Sequence, residues 1–151
     1  MIGVVLGLVA CDRACPDTSD PRDPPLEVVL GETVDDAFAP LSMPRPEFGP
    51  QGGQHLWLAT TVYEPGPAPV SFEIRLEAAE RRGDTWSVLG GFARWLDDPR
   101  PIGAIAPWVV LDLQLIVSAW DIRRDRRLTL TVTDACDRVG HDEFLLPGDS
   151  P

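Results

Sequence analysis

Residues 70–78 read VSFEIRLEA. Val70, Phe72, Ile74, Leu76 and Ala78 are apolar, and Ser71, Glu73, Arg75 and Glu77 between them are polar. A period of two is the mark of a strand with one face in a core and one in water. The pattern returns in LTLTVTD, residues 128–134, where Leu128, Leu130 and Val132 alternate with Thr129, Thr131 and Thr133. Working outward, Leu56–Tyr63 is rich in β-formers with apolar residues on both faces, which predicts a central strand. Trp108–Val117, Leu26–Leu30 and Glu143–Leu146 read as further strands. Thr85–Phe92 is a weaker one, with a bulge expected at Gly90-Gly91. The prolines of Pro65–Pro69 exclude regular structure between two of these runs. A short helix fits only at Val34–Phe38.

About seven antiparallel strands with recurring turn signals predict an all-β fold, a single immunoglobulin-like β-sandwich over residues 26–147 followed by a tail, 148–151. The Cys…Trp…Cys core of antibody domains is absent, so the likeness is one of architecture. Residues 128–146, LTLTVTDACDRVGHDEFLL, resemble the last two strands of bacterial immunoglobulin-like modules, in which a strand ends in V-T-D and returns through a polar loop.

The chain of 151 residues carries 24 acidic and 13 basic side chains, a net charge of −11. Nucleic-acid binding calls for basic surfaces that neutralise phosphates, so this balance argues against DNA or RNA as partner. It argues equally against electrostatic docking on anionic lipid. A hydrophobic fraction of 44% with five Trp is too apolar for a disordered chain. Every basic residue is Arg, and Lys and Asn are absent.

The chain opens MIGVVLGLVAC. Residues 1–10 are too short an apolar run to span a bilayer and suit a signal peptide. Leu8-Val9-Ala10-Cys11 resembles the lipobox of bacterial lipoproteins. The resemblance implies cleavage after Ala10, lipidation of Cys11, and a protein held in the cell envelope by its acyl chains, several of which make anchoring stable. Residues 11–25 then form the lipidated Cys and a tether, which Pro16, Pro21, Pro24 and Pro25 keep extended. In an oxidising compartment the two remaining cysteines, Cys15 and Cys136, are expected to form a disulfide.

Residues 49–64, GPQGGQHLWLATTVYE, are similar to G-P-Q-G-G-x-H-x-W stretches of uncharacterised myxobacterial envelope lipoproteins. The E-x-x-L-G of Glu27–Gly31 and the V-T-D before Ala135 extend that likeness, which brings no known activity with it. Physically, the glycines permit backbone angles closed to other residues, and Gln51, Gln54 and His55 place polar groups before a central strand. They form a candidate binding loop at one end of the sandwich. Trp57 reads as core.

No nucleotide, protease or hydrolase signature occurs. Asp35-Asp36, Asp97-Asp98 and Asp142-Glu143 read as solvated acid pairs, and Arg123–Arg127 as a hairpin cap. Asp134, Asp137 and Asp142 match no calcium loop. Zinc held by Cys11, Cys15, Cys136 and His141 conflicts with lipidation of Cys11. The expectation is therefore a non-catalytic binding or structural domain with no cofactor and no resident metal. Its partners would be the membrane, through Cys11, and another envelope protein; no small-molecule ligand is identifiable from sequence. One alternative is a cupredoxin-like copper carrier using His55, Cys136 and His141, with Met43 or Gln54 as axial ligand. Another is a subunit of a larger envelope assembly.

Overall fold

The computed structural model describes residues 26–49, 52–63, 71–97 and 108–149. The predicted signal peptide, Cys11, the tether with Cys15, Gln51 and the Pro65–Pro69 connection lie outside the described residues.

Nine strands and no helix make up the described chain: β1 (Glu27–Val34), β2 (Ala37–Pro40), β3 (Glu47–Phe48), β4 (Gln54–Tyr63), β5 (Ser71–Arg82), β6 (Thr85–Asp97), β7 (Trp108–Val117), β8 (Arg126–Asp134) and β9 (Val139–Leu146). Every pairing is antiparallel. In the first sheet β4 is central, between β1 and β7, with β2 beyond β1 and short β3 beside the start of β4. The second sheet runs β6-β5-β8-β9. Three long strands thus face four in the immunoglobulin-like order, and the chain crosses between sheets from β4 to β5, β6 to β7 and β7 to β8.

The alternation that announced the strands becomes the core. Phe72, Ile74, Leu76 and Ala78 of β5, with Leu128, Leu130 and Val132 of β8, pack on Leu56, Leu58 and Val62 of β4 and Leu113, Leu115 and Val117 of β7. Each of these side chains other than Ala78 contributes about 1.5–3 kcal/mol on burial, so this cluster holds the two sheets together.

Two local readings change. Val34–Phe38 is not helical. Asp35 and Asp36 take φ of 50° and 58° and join β1 to β2 through a two-residue loop, with Val34 opposite Ala37. Both central residues at positive φ define the type I′ turn, whose twist suits a hairpin, and Asp tolerates it. Trp57 is not core either. It is 40% exposed on the outer face of β4, its indole Nε1 donating to Glu47 Oε2 at 3.1 Å.

The expected bulge near Gly90 is present. Ala78 pairs with Gly90 but Ala79 with Val88, so Leu89 is the extra residue. Its freed carbonyl accepts from Ser118 N at 3.0 Å, which ties β6 to the end of β7 across the sandwich. Gly90 sits so close to that crossing that a Cβ would overlap the Ile116 carbonyl oxygen. A second bulge lies in β7, where Leu111 and Asp112 together oppose Ala59. Asp112, at φ 56°, has its freed amide satisfied by Thr33 Oγ1 at 3.0 Å.

The registers give the sandwich two distinct ends. At the near end lie Leu26, which packs on Gly140, and the β8–β9 turn. At the far end lie the start of β4, the end of β7, the start of β8 and the end of β9. Gly90→Ala should cost about 1–3 kcal/mol by forcing the sheets apart at the β6–β7 crossing. Urea unfolding measures it, and an unchanged midpoint would refute the crossing as a packed contact.

Candidate functional site

Two of the three residues of the expected loop are described, and both belong to the far end. Gln54 begins β4, opposite Phe48 and Val117. Its Oε1 is buried without a hydrogen-bond partner among the described residues. His55 turns outward. Its ring lies against Gly49, where a Cβ would strike Nε2, and its Nδ1 accepts from Gln114 Nε2. The glycines of this loop therefore have separate reasons. Gly49 makes room for the imidazole, and Gly52 holds a φ of 80° in the turn closed by Gly52 N donating to Gly49 O.

The copper ligand set does not assemble. His55 stands on the outer face of the first sheet. His141 is on β9 of the second, beside Thr131 Oγ1 at 3.4 Å, and Cys136 is in the near-end turn. Among the described residues no three His, Cys, Asp or Glu side chains gather as a metal site. Cys136 is itself disulfide-bonded, whereas a copper ligand must be a free thiolate. Asp134, Asp137 and Asp142 form no such group either. Asp134 serves the turn described below, and Asp142 Oδ2 accepts from Leu30 N at 2.7 Å, joining β9 to β1.

The turn that carries Cys136 is built on one buried ion pair. Asp134 Oδ2 accepts from Arg138 Nε at 2.6 Å, the two side chains being 0% and 5% exposed. Its Oδ1 accepts the amides of Cys136 and Arg138 at 2.8 and 2.9 Å. One carboxylate thus satisfies two turn amides and a guanidinium, while Asp137 takes the left-handed position at φ 60°.

A groove of about 740 Å³ opens at the far end. It is lined by Met43, Pro44 and Pro46, by Phe144 and Leu146 of β9, and by Trp120, Ile122 and Arg126. Arg126 is only 5% exposed. Its cross-strand neighbour Glu80, also buried, is taken by Arg82 Nε at 2.6 Å and approached by Arg124 at 4.0 Å. Arg126 instead donates from Nε to Arg124 O, at 3.1 Å, and from Nη2 to Ile122 O and Pro147 O, both at 3.4 Å. Its guanidinium lies over the Trp120 ring, 5.2 Å from the centroid, a cation–π arrangement. Burial pushes its pKa below the usual guanidinium range, against the pull of Asp149, Asp121 and Asp125. Trp120 Nε1 is buried with no acceptor among the described residues.

The Arg123–Arg127 run does not cap a hairpin: it lies on the crossing from β7 of the first sheet to β8 of the second, and Arg126 and Arg127 begin β8. Arg123 donates from Nε and Nη2 to the two oxygens of Asp121 and holds that carboxylate down at about 2. Arg127 stacks over Trp86 at 4.7 Å. Neither Trp120 nor Arg126 stood out in the sequence as a site residue. Yet Arg126 continues the inward series Leu128, Leu130, Val132, and a charge at an inward position is the signal that marks it.

No protein-family model, curated protein or solved structure matches this chain.

Asp134→Ala should destabilise the domain by about 3–5 kcal/mol, since it strips a buried guanidinium of its carboxylate and leaves two turn amides short of an acceptor. Adding Arg138→Leu should recover much of the loss. If the double variant unfolds no later in urea than the single one, the ion pair is not the source of the cost.

Proposed function

We propose that the protein is a cell-envelope lipoprotein, anchored through lipid on Cys11, whose immunoglobulin-like sandwich binds non-catalytically at the end facing away from the membrane. The observation that carries this reading is the separation of the two ends. The described chain begins at Leu26, beside Gly140 at the near end, and the groove and the Gln54–His55 loop lie at the far end. A tether leading to the near end leaves the far-end loops open to a partner. Loops held by a rigid scaffold are where binding groups gather, and a groove of roughly 300–1,000 Å³ with apolar walls and few polar groups is the usual form of a ligand site.

The same reading assigns Cys15 as the disulfide partner of Cys136. The bridge would close a loop of about 120 residues, for which chain entropy gives about 4–5 kcal/mol. It would leave Asp12-Arg13-Ala14 as the free leash, roughly 10 Å long, and hold the near end against the membrane.

Two experiments test this. In a bacterial host that processes lipoproteins, the wild-type chain should enter the detergent phase of a phase partition, and Cys11→Ser should move it to the aqueous phase. Equal, aqueous partition of both would reject the anchor. Proteolysis without reduction should release a peptide joining Cys15 to Cys136, and a Cys11–Cys136 peptide would overturn both assignments together.

A further inference from the structure

The groove contains a cation, Arg126, that no carboxylate of the described residues meets as an ion pair. Arg126 uses Nε and Nη2 on three backbone carbonyls, and its Nη1 has no acceptor among the described residues. The residue as a whole is 5% exposed and lines the groove. A nearly buried guanidinium with a spare donor among the described residues therefore borders this groove, as it does the smaller pocket beside Trp86. No carboxylate of the described residues forms an ion pair with it. Glu80 is engaged by Arg82, Asp121 by Arg123, and Asp125 by Arg81, at 3.6 Å, and by the Gly148 amide. Asp149 is the remaining acid at the rim.

A buried guanidinium without a carboxylate is costly, and a charge-assisted hydrogen bond from a bound anion repays part of that cost. The walls decide what carries the anion. Met43, Pro44, Pro46, Ile122 and Phe144 offer hydrocarbon and an aromatic ring, so a small hydrated anion would leave them unfilled. We propose that the far-end groove binds a carboxylate carried on an apolar body, with the carboxylate on Arg126 Nη1 over the Trp120 ring and the apolar part along the Met43–Pro46 wall. The same chemistry is offered by an acyl chain ending in a free acid and by the C-terminus of an apolar peptide. The proposal deepens the binding reading of the groove and does not depend on the anchor. Failure of the phase partition above would leave it standing, and its own failure would leave the anchor standing.

The test is isothermal titration of the full chain carrying Cys11→Ser with sodium decanoate, decanol and decyltrimethylammonium. A second set is acetyl-Ala-Val-Leu as free acid and as amide. At least one carboxylate should bind tenfold or more tighter than its neutral or cationic counterpart, which is about the ratio a charge-assisted hydrogen bond supplies. Preference for decanoate alone assigns the acyl source, and preference for the peptide acid alone assigns the peptide. Arg126→Gln should abolish the preference. Because Arg126 also binds three carbonyls, two surface variants keep the test independent of folding. Asp149→Asn should tighten carboxylate binding severalfold, and Met43→Glu, at a side chain 63% exposed, should weaken it. Equal binding of acid, neutral and cationic probes, no binding of either carboxylate at millimolar concentration, or affinities unmoved by Asp149→Asn and Met43→Glu would each overturn the proposal.

Discussion

The inward row of β8 organises the molecule. From far end to near end it reads Arg126, Leu128, Leu130, Val132, Asp134, all five buried. Its three apolar members lie in the middle of the core, and its two charged members stand at the ends, where the sandwich meets solvent and the chain must turn. A charge at such a position has to be answered within the fold or cost stability. The two ends answer differently. Asp134 is saturated by Arg138 and two turn amides, which makes the near end a fixed structural corner. Among the described residues Arg126 receives three carbonyl oxygens and an aromatic face and no carboxylate in an ion pair.

Edges impose the second constraint. A two-sheet sandwich leaves strand edges whose backbone groups invite pairing with other chains. Here single hydrogen bonds cross between the sheets on both sides. Ser118 N reaches the bulge carbonyl of Leu89 on one flank, and Leu30 N reaches the Asp142 carboxylate on the other. Each crossing depends on a local device, a bulge in β6 and an acid on β9, and together they bring the two sheets into contact along both flanks. The far-end groove lies beyond the Leu30–Asp142 crossing, where the Met43–Pro46 segment faces the end of β9 across open space.

This division bears on function. The corner that holds Cys136 and the end that holds the groove are opposite ends of the sandwich, so the proposed tether at the first would leave the second presented. The outer face of the first sheet adds an aromatic, Trp57, held by Glu47, with His55 tied to Gln114 beside it. These side chains are ordered by neighbours of their own, whereas Arg126 and Trp120, which line the groove, each have a donor without an acceptor among the described residues.

Much of the fold was legible in the chain itself. Alternation in residues 70–78 and 128–134 determined two strands and which side chains face inward, and the apolar runs at 56–63 and 108–117 located the strands they pack against. Strand period is local, set by the pleat, and survives without knowledge of partners. The acidic balance and the apolar opening before Cys11 are likewise properties of sequence alone. Local pattern failed where a turn depends on backbone hand, as at Asp35-Asp36, because two acids in a row fit a helix start and a type I′ hairpin alike. It failed again at Trp57, whose place on the outer face follows from the register of β4. Above all, only the tertiary structure brought Arg126 over Trp120 at the groove. Arg126 looked like one more residue of a basic hairpin cap until pairing set it inward opposite Glu80 and the fold gave Glu80 to Arg82. A charge becomes available or spent through partners far away in sequence, and no spacing along the chain records which.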